Sequence, residues 1–475
     1  MLYKLISILV AIIPVIGLVS GFSVAVTIPI FLLLILIGLR DKLFVNLKYA
    51  TIQNHLLSKW KLELIFGLWC FITICYSPNY LGSLFVYIQI SLIILIGLIV
   101  NNNIEQLPIN VTVVTRYFII GMSIAISLFF IEYFSYGIIT RGFRAIFQPK
   151  TSGHFFLFTL DRGCALLSVF SWIVIAILMQ YHKYLLALIY YLLIIYLLFI
   201  SDSLASFLAF MVGGLVFLIS RLSITRSLQS IFLKLFIIAV LTGSILMPII
   251  SYKIDPYEAS DHYANFLPHS AKHRLFIWHF IAKKIVEKPM FGHGFSASRY
   301  YSQYYQANNE KIITYNQWSL PLFPLHPHNN IMQILFETGL IGFLLFLLLV
   351  RKYIKQMANL ALLASPANDI LFSGDFAARR GGAKPIDNGR TTSNDACKFI
   401  SEKYRYSKIS ATILNHTAIS YAIFINYYII GMISWNIWQT WWVCTAFGTI
   451  ILFQLLVHKI NLHAAIPARS DKHDI

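Results

Sequence analysis

Two histidines stand immediately ahead of an apolar run, in His326-Pro327-His328-Asn329-Asn330, followed by residues 331–350. Pro327 and the asparagine pair are helix-start residues, which places His328 in a first helical turn where a membrane helix meets water. The unpaired backbone N–H groups and positive dipole end of such a turn favour an anion such as phosphate. An imidazole there, with an ordinary pKa of about 6.5, can be neutral and accept a proton. The competing reading is a histidine that only caps the helix. Asn329, Gln333 and Glu337 recur at every fourth position and make one polar stripe down the run. A carboxylate at that depth costs about 2.5–3.5 kcal/mol on insertion scales, so Glu337 is expected to face the protein interior or a wet cavity. Gly339 and Gly342 are expected to admit a neighbouring helix at close range.

The segment before this motif carries most of the other reactive side chains. Seven of the 14 histidines lie in it: His262, His269, His273, His279, His293, His326 and His328. His269 and His273 have the spacing that puts two metal ligands on one helix face, with His279 nearby, so zinc is a reading to weigh. Pro268 and the lack of an HExxH glutamate weigh against it. Tyr300, Tyr301, Tyr304, Tyr305, Tyr315, Trp318 and Phe323 cluster in the same stretch. They suit either interfacial anchoring or the apolar faces of sugars.

The elements that must position these groups are membrane helices. The chain has 475 residues, of which 58% are hydrophobic and 12% charged. That is about half the charge of a soluble domain and excludes a soluble fold. Twelve apolar runs, each about long enough to cross a hydrocarbon core of ~30 Å, lie near 5–20, 22–39, 62–76, 81–100, 117–134, 164–180, 185–201, 203–220, 235–250, 330–350, 413–432 and 441–457. The fold expected is therefore an all-α polytopic membrane protein. Arg40, Lys42, Lys48, Lys59 and Lys61 follow the second run, and Arg221, Arg226 and Lys234 follow the eighth. Positive loops stay in the cytoplasm, whereas the turns 77–80, 201–202 and 434–439 have no Lys or Arg. With twelve spans, both termini fall inside.

The organisation expected is helices one to nine over 1–250 with an outer loop at 135–163, a large outer loop at 251–328, and the motif helix at 329–350. A basic cytoplasmic linker at 351–410, two further spans over 411–457 and a tail at 458–475 complete it. The outer loop 251–328 is itself basic, with Lys253, Lys272, Arg274, Lys283, Lys284, Lys288, Arg299 and Lys311. Long loops translocate whatever their charge, so this excess either means nothing or marks an anionic ligand. Lys4 and Ser20-Gly21 imitate a signal peptide, but the charge pattern disfavours cleavage. Cys70, Cys75, Cys164, Cys397 and Cys444 are scattered and give no disulfide framework.

His328-Asn329, nine residues, Gly339, two residues and Gly342 resemble the motif of the O-antigen ligase and polymerase superfamily. The large outer loop before the motif and the number of spans are similar too. The resemblance covers most of the chain and leaves out 351–410. It implies a bacterial inner-membrane, multi-pass enzyme with its site facing the periplasm. Such enzymes transfer a glycan from undecaprenyl diphosphate to a hydroxyl, in the ligases that of lipid A-core, using neither cofactor nor metal. A polymerase of lipid-linked repeats and a protein O-oligosaccharyltransferase share this pattern.

On that resemblance His328 is the catalytic base and the transfer inverts the anomeric centre. Arg274, heading the stretch Arg274-Leu275-Phe276-Ile277-Trp278 upstream of Gly292-His293-Gly294, is similar to an essential arginine of the family. Arg162 resembles a second, with Arg141 and Arg144 as competitors. Guanidinium forks suit a diphosphate leaving group. His326, Asn329, Glu337 and Trp278 join the substrate-binding set, and Trp435-Asn436-Ile437-Trp438-Gln439-Thr440-Trp441-Trp442 resembles an aromatic segment of ligase-like members or forms an interfacial belt. The partners expected are the lipid-linked donor, the hydroxyl acceptor and membrane lipids, with no nucleic acid. A transporter is the rival class, expected to show internal repeats and broken helices.

Overall fold

A computed structural model of the chain describes residues 1–48, 59–147, 160–223, 225–263, 268–308, 312–315, 318–363 and 414–458. The helices are α1 (Leu2–Val19), α2 (Val24–Lys48), α3 (Lys61–Ile74), α4 (Tyr80–Asn103), α5 (Val111–Phe134) and the short α6 (Ile138–Phe147). They continue with α7 (Asp161–Gln180), α8 (Tyr184–Ile200), α9 (Leu204–Leu222), α10 (Arg226–Lys253), α11 (His269–Glu287), α12 (Ala297–Ala307), α13 (Asn330–Leu363), α14 (Leu414–Ile433) and α15 (Thr440–Phe453). Every one of the twelve expected runs falls on a helix. Among the described residues ten helices are long and apolar enough to cross a membrane, while α8 with 17 residues and α3 with 14 are shorter. Local chemistry starts several of them: Asn79, Asn110 and Thr225 accept the backbone N–H three residues on, from Gly82, Val113 and Leu228.

Helix α7 is the centre of the bundle, with every residue from 163 to 177 buried. A helix apolar all round belongs inside. It packs on α1, α8 and α9, and α1 packs in turn on α2 and α5. Gly163 allows the approach to α1, since a Cβ there would lie 2.5 Å from the Leu18 carbonyl oxygen. A second apolar cluster joins α10, α13 and α14, and a third joins α3, α4 and α13.

The described residues of 251–328 form a cap on one end of the bundle. Helices α11 and α12 pack through Ile277, Phe280, Ile281 and Tyr305 onto Phe323, Met332 and Phe336. Beside them is the one departure from an all-α chain among the described residues, an antiparallel ribbon of β1 (Ile312–Tyr315) and β2 (Trp318–Pro321) in which Ile312 pairs with Pro321. Tyr301, Tyr305 and Phe323 belong to this small core, whereas Tyr300 and Tyr304 stay exposed. The linker expected from 351 begins later, because α13 runs on to Leu363. The linker residues 364–410 and the tail residues 459–475 lie outside the described residues.

Helix α13 is broken at Gly339, where φ is 66° and ψ is −170°. In an unbroken helix the N–H groups of Leu340 and Ile341 would bond the carbonyls of Phe336 and Glu337. Here the turn 289–294 takes all four groups. His293 N and Gly294 N donate to Phe336 O and Glu337 O at 2.8 and 2.9 Å, while Leu340 N and Ile341 N donate to Pro289 O and Met290 O at 2.8 and 3.5 Å. None of these four groups is left to lipid, where each would cost several kcal/mol. The turn is clamped from outside as well: Tyr76 Oη donates to Phe291 O at 2.7 Å, and Ser77 and Ser83 Oγ donate to Phe295 O at 3.1 and 2.6 Å.

This corrects the reading of Gly339 as a helix-packing residue. A Cβ on Gly339 would lie 2.3 Å from Met290 O, and one on Gly292, at φ 74°, 2.6 Å from Glu337 O. Gly342 does admit a helix, since its Cβ would meet Trp69 of α3 at 3.0 Å as well as its own Thr338 Oγ1 at 2.1 Å. Gly339→Ala is therefore expected to cost about 2–4 kcal/mol, from a glycine-only backbone conformation and a steric overlap. Gly243→Ala, with nothing within 4 Å of the added Cβ, is the control. Thermal melting of both variants in detergent checks this; a Gly339→Ala protein that melts with the wild type would contradict the break.

Candidate active site

His328 sits in the left-handed backbone region, at φ 52°. A non-glycine residue there carries about 1–3 kcal/mol of strain unless its surroundings hold it, and such residues gather at functional sites. Three contacts hold this one. The His328 N–H donates to His326 Nδ1 at 3.3 Å. Trp278 Nε1 of α11 donates to Pro327 O at 3.0 Å. The ring is fixed by its Nδ1, 2.8 Å from the carbonyl oxygen of Ser434 in the α14–α15 turn. A carbonyl can only accept, so Nδ1 carries the proton and Nε2 carries the lone pair. Among the described residues Nε2 has no hydrogen-bond partner.

Burial, with the charges of Arg274 and His273, pushes the His328 pKa down to about 4, against the opposing pull of the Ser434 hydrogen bond. His326, whose ring centroid is 4.2 Å from that of His328, is held well below the ordinary value by burial and by His328, Arg162 and Arg274. Both rings are neutral near pH 7. The Asn329 Oδ1 accepts from Ile331 N and Met332 N at 2.9 and 3.0 Å, which makes Asn329 the cap of α13.

The two expected arginines converge on these rings from different helices. Arg274 lies one turn before Trp278 on α11, half-buried, and burial lowers its pKa while Asp161 acts to raise it. Arg162 is in the first turn of α7 and not in the preceding loop, with its guanidinium 4.0 Å from the Phe22 ring centroid and 5.3 Å from that of Trp435. Gly21 makes room for it, since a Cβ there would lie 2.3 Å from Arg162 Cβ. Among the described residues neither guanidinium has a carboxylate within ion-pair distance. The competitor Arg141 is exposed and donates to Ser135 O at 3.0 Å, and the side chain of Arg144 lies outside the described residues.

Glu337 does not reach the site surface. It is fully buried and accepts from Ser296 N at 3.0 Å, Ser298 N at 3.2 Å, Gln333 Nε2 at 3.1 Å and Trp438 Nε1. A carboxyl group with these partners ties together the start of α12, Gln333 and the α14–α15 turn. Asn329 is also fully buried; its Oδ1 caps α13, while its Nδ2 has no hydrogen-bond partner among the described residues. Gln333 extends the network, donating to Asn436 Oδ1 at 2.9 Å. His273 and His279 are turned to different backbone carbonyls, Pro321 O at 2.9 Å and Ser251 O at 3.0 Å, and the described residues contain no group of three that could hold a metal.

Ser434 is the site residue that sequence reasoning missed. Its contribution is a backbone carbonyl 106 positions from its partner, which no side-chain pattern signals. Trp435 and Trp438 were visible only as part of an aromatic run, although one lies against Arg162 and the other bonds Glu337. Chemically, the arrangement offers a neutral, oriented imidazole in the field of Arg274, with Arg162 and Arg274 acting on the adjoining His326 and neither guanidinium paired to a carboxylate among the described residues.

Comparison with known proteins meets this geometry at the same residues. The family model described as "O-Antigen ligase" matches residues 189–347, which hold Arg274, the turn 289–294 and the whole of the His328 to Gly342 motif. Proteins of Rickettsia felis and Rickettsia bellii, each named "Putative polysaccharide ligase", are 40% and 39% identical to the chain, over 95% and 94% of its length and 97% and 96% of theirs. With the broken motif helix and its histidine in place, the chain belongs to the O-antigen ligase family.

Proposed function

We propose that the protein transfers a glycan from undecaprenyl diphosphate to a hydroxyl of lipid A-core or a similar acceptor, at the periplasmic face of a bacterial inner membrane. The observation that carries this reading is the His328 Nδ1 to Ser434 O bond of 2.8 Å, which leaves Nε2 as acceptor in the field of Arg274, while Arg162 and Arg274 both act on the adjoining His326 ring. His328 Nε2 takes the proton of the acceptor hydroxyl while its oxygen attacks the anomeric carbon. The bond from that carbon to the diphosphate oxygen breaks, and the leaving oxygen keeps the electron pair and stays on the guanidinium groups. Attack opposite the leaving group inverts the centre.

Charge supports the orientation. The turns poor in Lys and Arg gather at the His328 end, where Ser77 bonds Phe295 O, Asp202 neighbours Asp161, and Ser434 bonds His328. At the other end Lys352 Nζ donates to Glu63 and to Lys59 O at 2.7 Å. The broken helix is the one feature that a transporter would share. Here the turn 289–294 bonds the four backbone groups that the break frees, which favours transfer over transport. A polymerase of lipid-linked repeats or a protein O-oligosaccharyltransferase would use the same chemistry on another hydroxyl, and a deletion strain separates them: a ligase mutant attaches no repeat to core, a polymerase mutant attaches one.

With purified protein and lipid-linked donor, His328→Ala is expected to lower kcat by about 10²–10⁴, the range for a general base, with donor binding kept. Wild-type transfer by this variant would remove His328 from the chemistry. Arg274→Lys keeps charge and loses the fork, so donor KM is expected to rise about tenfold; an unchanged KM would contradict diphosphate binding there.

The pH dependence has a defined sign. Protonation removes the base, and the free-enzyme His328 pKa of about 4 moves that loss below the value near 6.5 of an ordinary histidine. The kcat/KM profile is therefore expected to stay level down to about pH 5 and to fall toward pH 4. A bound diphosphate adds negative charge beside the ring and favours its protonated form, so the acid limb of kcat should lie higher than that of kcat/KM. A common limb near pH 6.5 in both profiles would contradict the buried neutral base. The guanidinium groups hold the leaving-group charge in this scheme, and EDTA is expected to leave the rate unchanged; loss of transfer restored by zinc would overturn it.

A further inference from the structure

Consecutive residues of the α14–α15 turn touch the two halves of the site. The Ser434 carbonyl accepts the His328 Nδ1 proton at 2.8 Å. The next residue, Trp435, lays its ring against Arg162, with the guanidinium carbon 5.3 Å from the ring centroid. Phe22, from the α1–α2 turn, contacts the same guanidinium at 4.0 Å. Trp435 is itself braced edge-on by Trp441, with centroids 5.1 Å apart and planes at 83°. Trp441 is 1% exposed, and its Nε1 donates to Gln439 Oε1 at 3.0 Å.

Arg162 has no carboxylate within ion-pair distance, and its Nε is buried without a hydrogen-bond partner among the described residues. What holds this head group is therefore aromatic. Ring faces attract a guanidinium through the quadrupole without occupying its N–H donors. A cation held in this way keeps its fork open for an anion, whereas a carboxylate would fill it.

We propose that Trp435 is a positioning residue that fixes the Arg162 guanidinium relative to His328 Nε2, so that one turn sets both the anion-binding group and the proton acceptor. This rests on the reading of Arg162 as a diphosphate ligand. An interfacial anchor, the other role open to this tryptophan, would act on stability and not on the fork.

The test uses the full chain in detergent micelles, with farnesyl diphosphate as the probe, binding followed by calorimetry and folding by size exclusion. Trp435→Leu is expected to weaken binding about tenfold, the order of a desolvated cation–π contact, and Trp435→Phe to stay near the wild type. In an Arg162→Ala background Trp435→Leu should cost nothing further, because the two act as one unit. Phe22→Leu, at a residue 54% exposed, repeats the measurement with a loss of about threefold should the Trp435→Leu protein fail to fold. Equal losses for Trp435→Leu in both backgrounds, or none in the wild-type background while Arg162→Ala weakens binding, would overturn the coupling alone. Arg162→Ala binding the probe as the wild type does would overturn the diphosphate reading and the coupling with it.

Discussion

The His328 imidazole gives its Nδ1 proton to a backbone carbonyl, and the chemistry open to the protein follows from that bond. A free imidazole exchanges its proton between two nitrogens, and only one of the two forms presents a lone pair toward the site. Ser434 O selects it. Because the acceptor is main chain, the selection depends on where the α14–α15 turn sits and not on a residue type. The turn in turn depends on Glu337, which bonds Trp438, and on Gln333, which bonds Asn436. The polar stripe of α13 is thus a scaffold for the turn that orients the His328 ring, and the carboxyl group buried with it is held by four donors.

The break at Gly339 belongs to the same scaffold. A straight α13 would leave no backbone groups for the turn 289–294, and without that turn α12 would lose its start at Ser296–Ser298, where Glu337 binds. The exchange of hydrogen bonds at the break ties the cap of α11 and α12 to the membrane helix. Arg274 and Trp278 then reach His328 from α11 in a fixed register. Two glycines at positive φ make this possible, because a Cβ on Gly292 would meet the backbone of Glu337 and Gly339, and one on Gly339 would meet the backbone of Met290 and Phe291.

Much of this was legible in the sequence, for physical reasons that also mark its limits. Apolar runs of this length identify membrane helices because a helix satisfies its own backbone groups in lipid, and all twelve fall on helices. Helix-start residues brought His328 to the entrance of α13 but placed it in the first turn. It lies two residues ahead of the helix, before the Asn329 cap and at a left-handed φ that no right-handed helical turn has. The cost of a buried carboxylate placed Glu337 in the interior, where it is found, yet a cost says nothing about partners, and its bonds to α12 and to Trp438 could not be read from it. A lone glycine in an apolar run signals close packing as readily as a break, so Gly339 was ambiguous until its partner turn was seen. Arg162 was found by resemblance but assigned to a loop, because the first turn of a helix keeps the composition of what precedes it. Ser434 left no trace, since its contact is made by an atom that every residue has.

The central claim is that His328 is a neutral base of one defined tautomer in the folded protein. Nitrogen-15 NMR of histidine-labelled protein, with His328→Ala to assign the signal, reads this directly. The account predicts the Nδ1–H form and a titration near pH 4 in the free protein, moving upward when a prenyl diphosphate is added. An Nε2–H form, or a titration near 6.5 that no diphosphate moves, would contradict it.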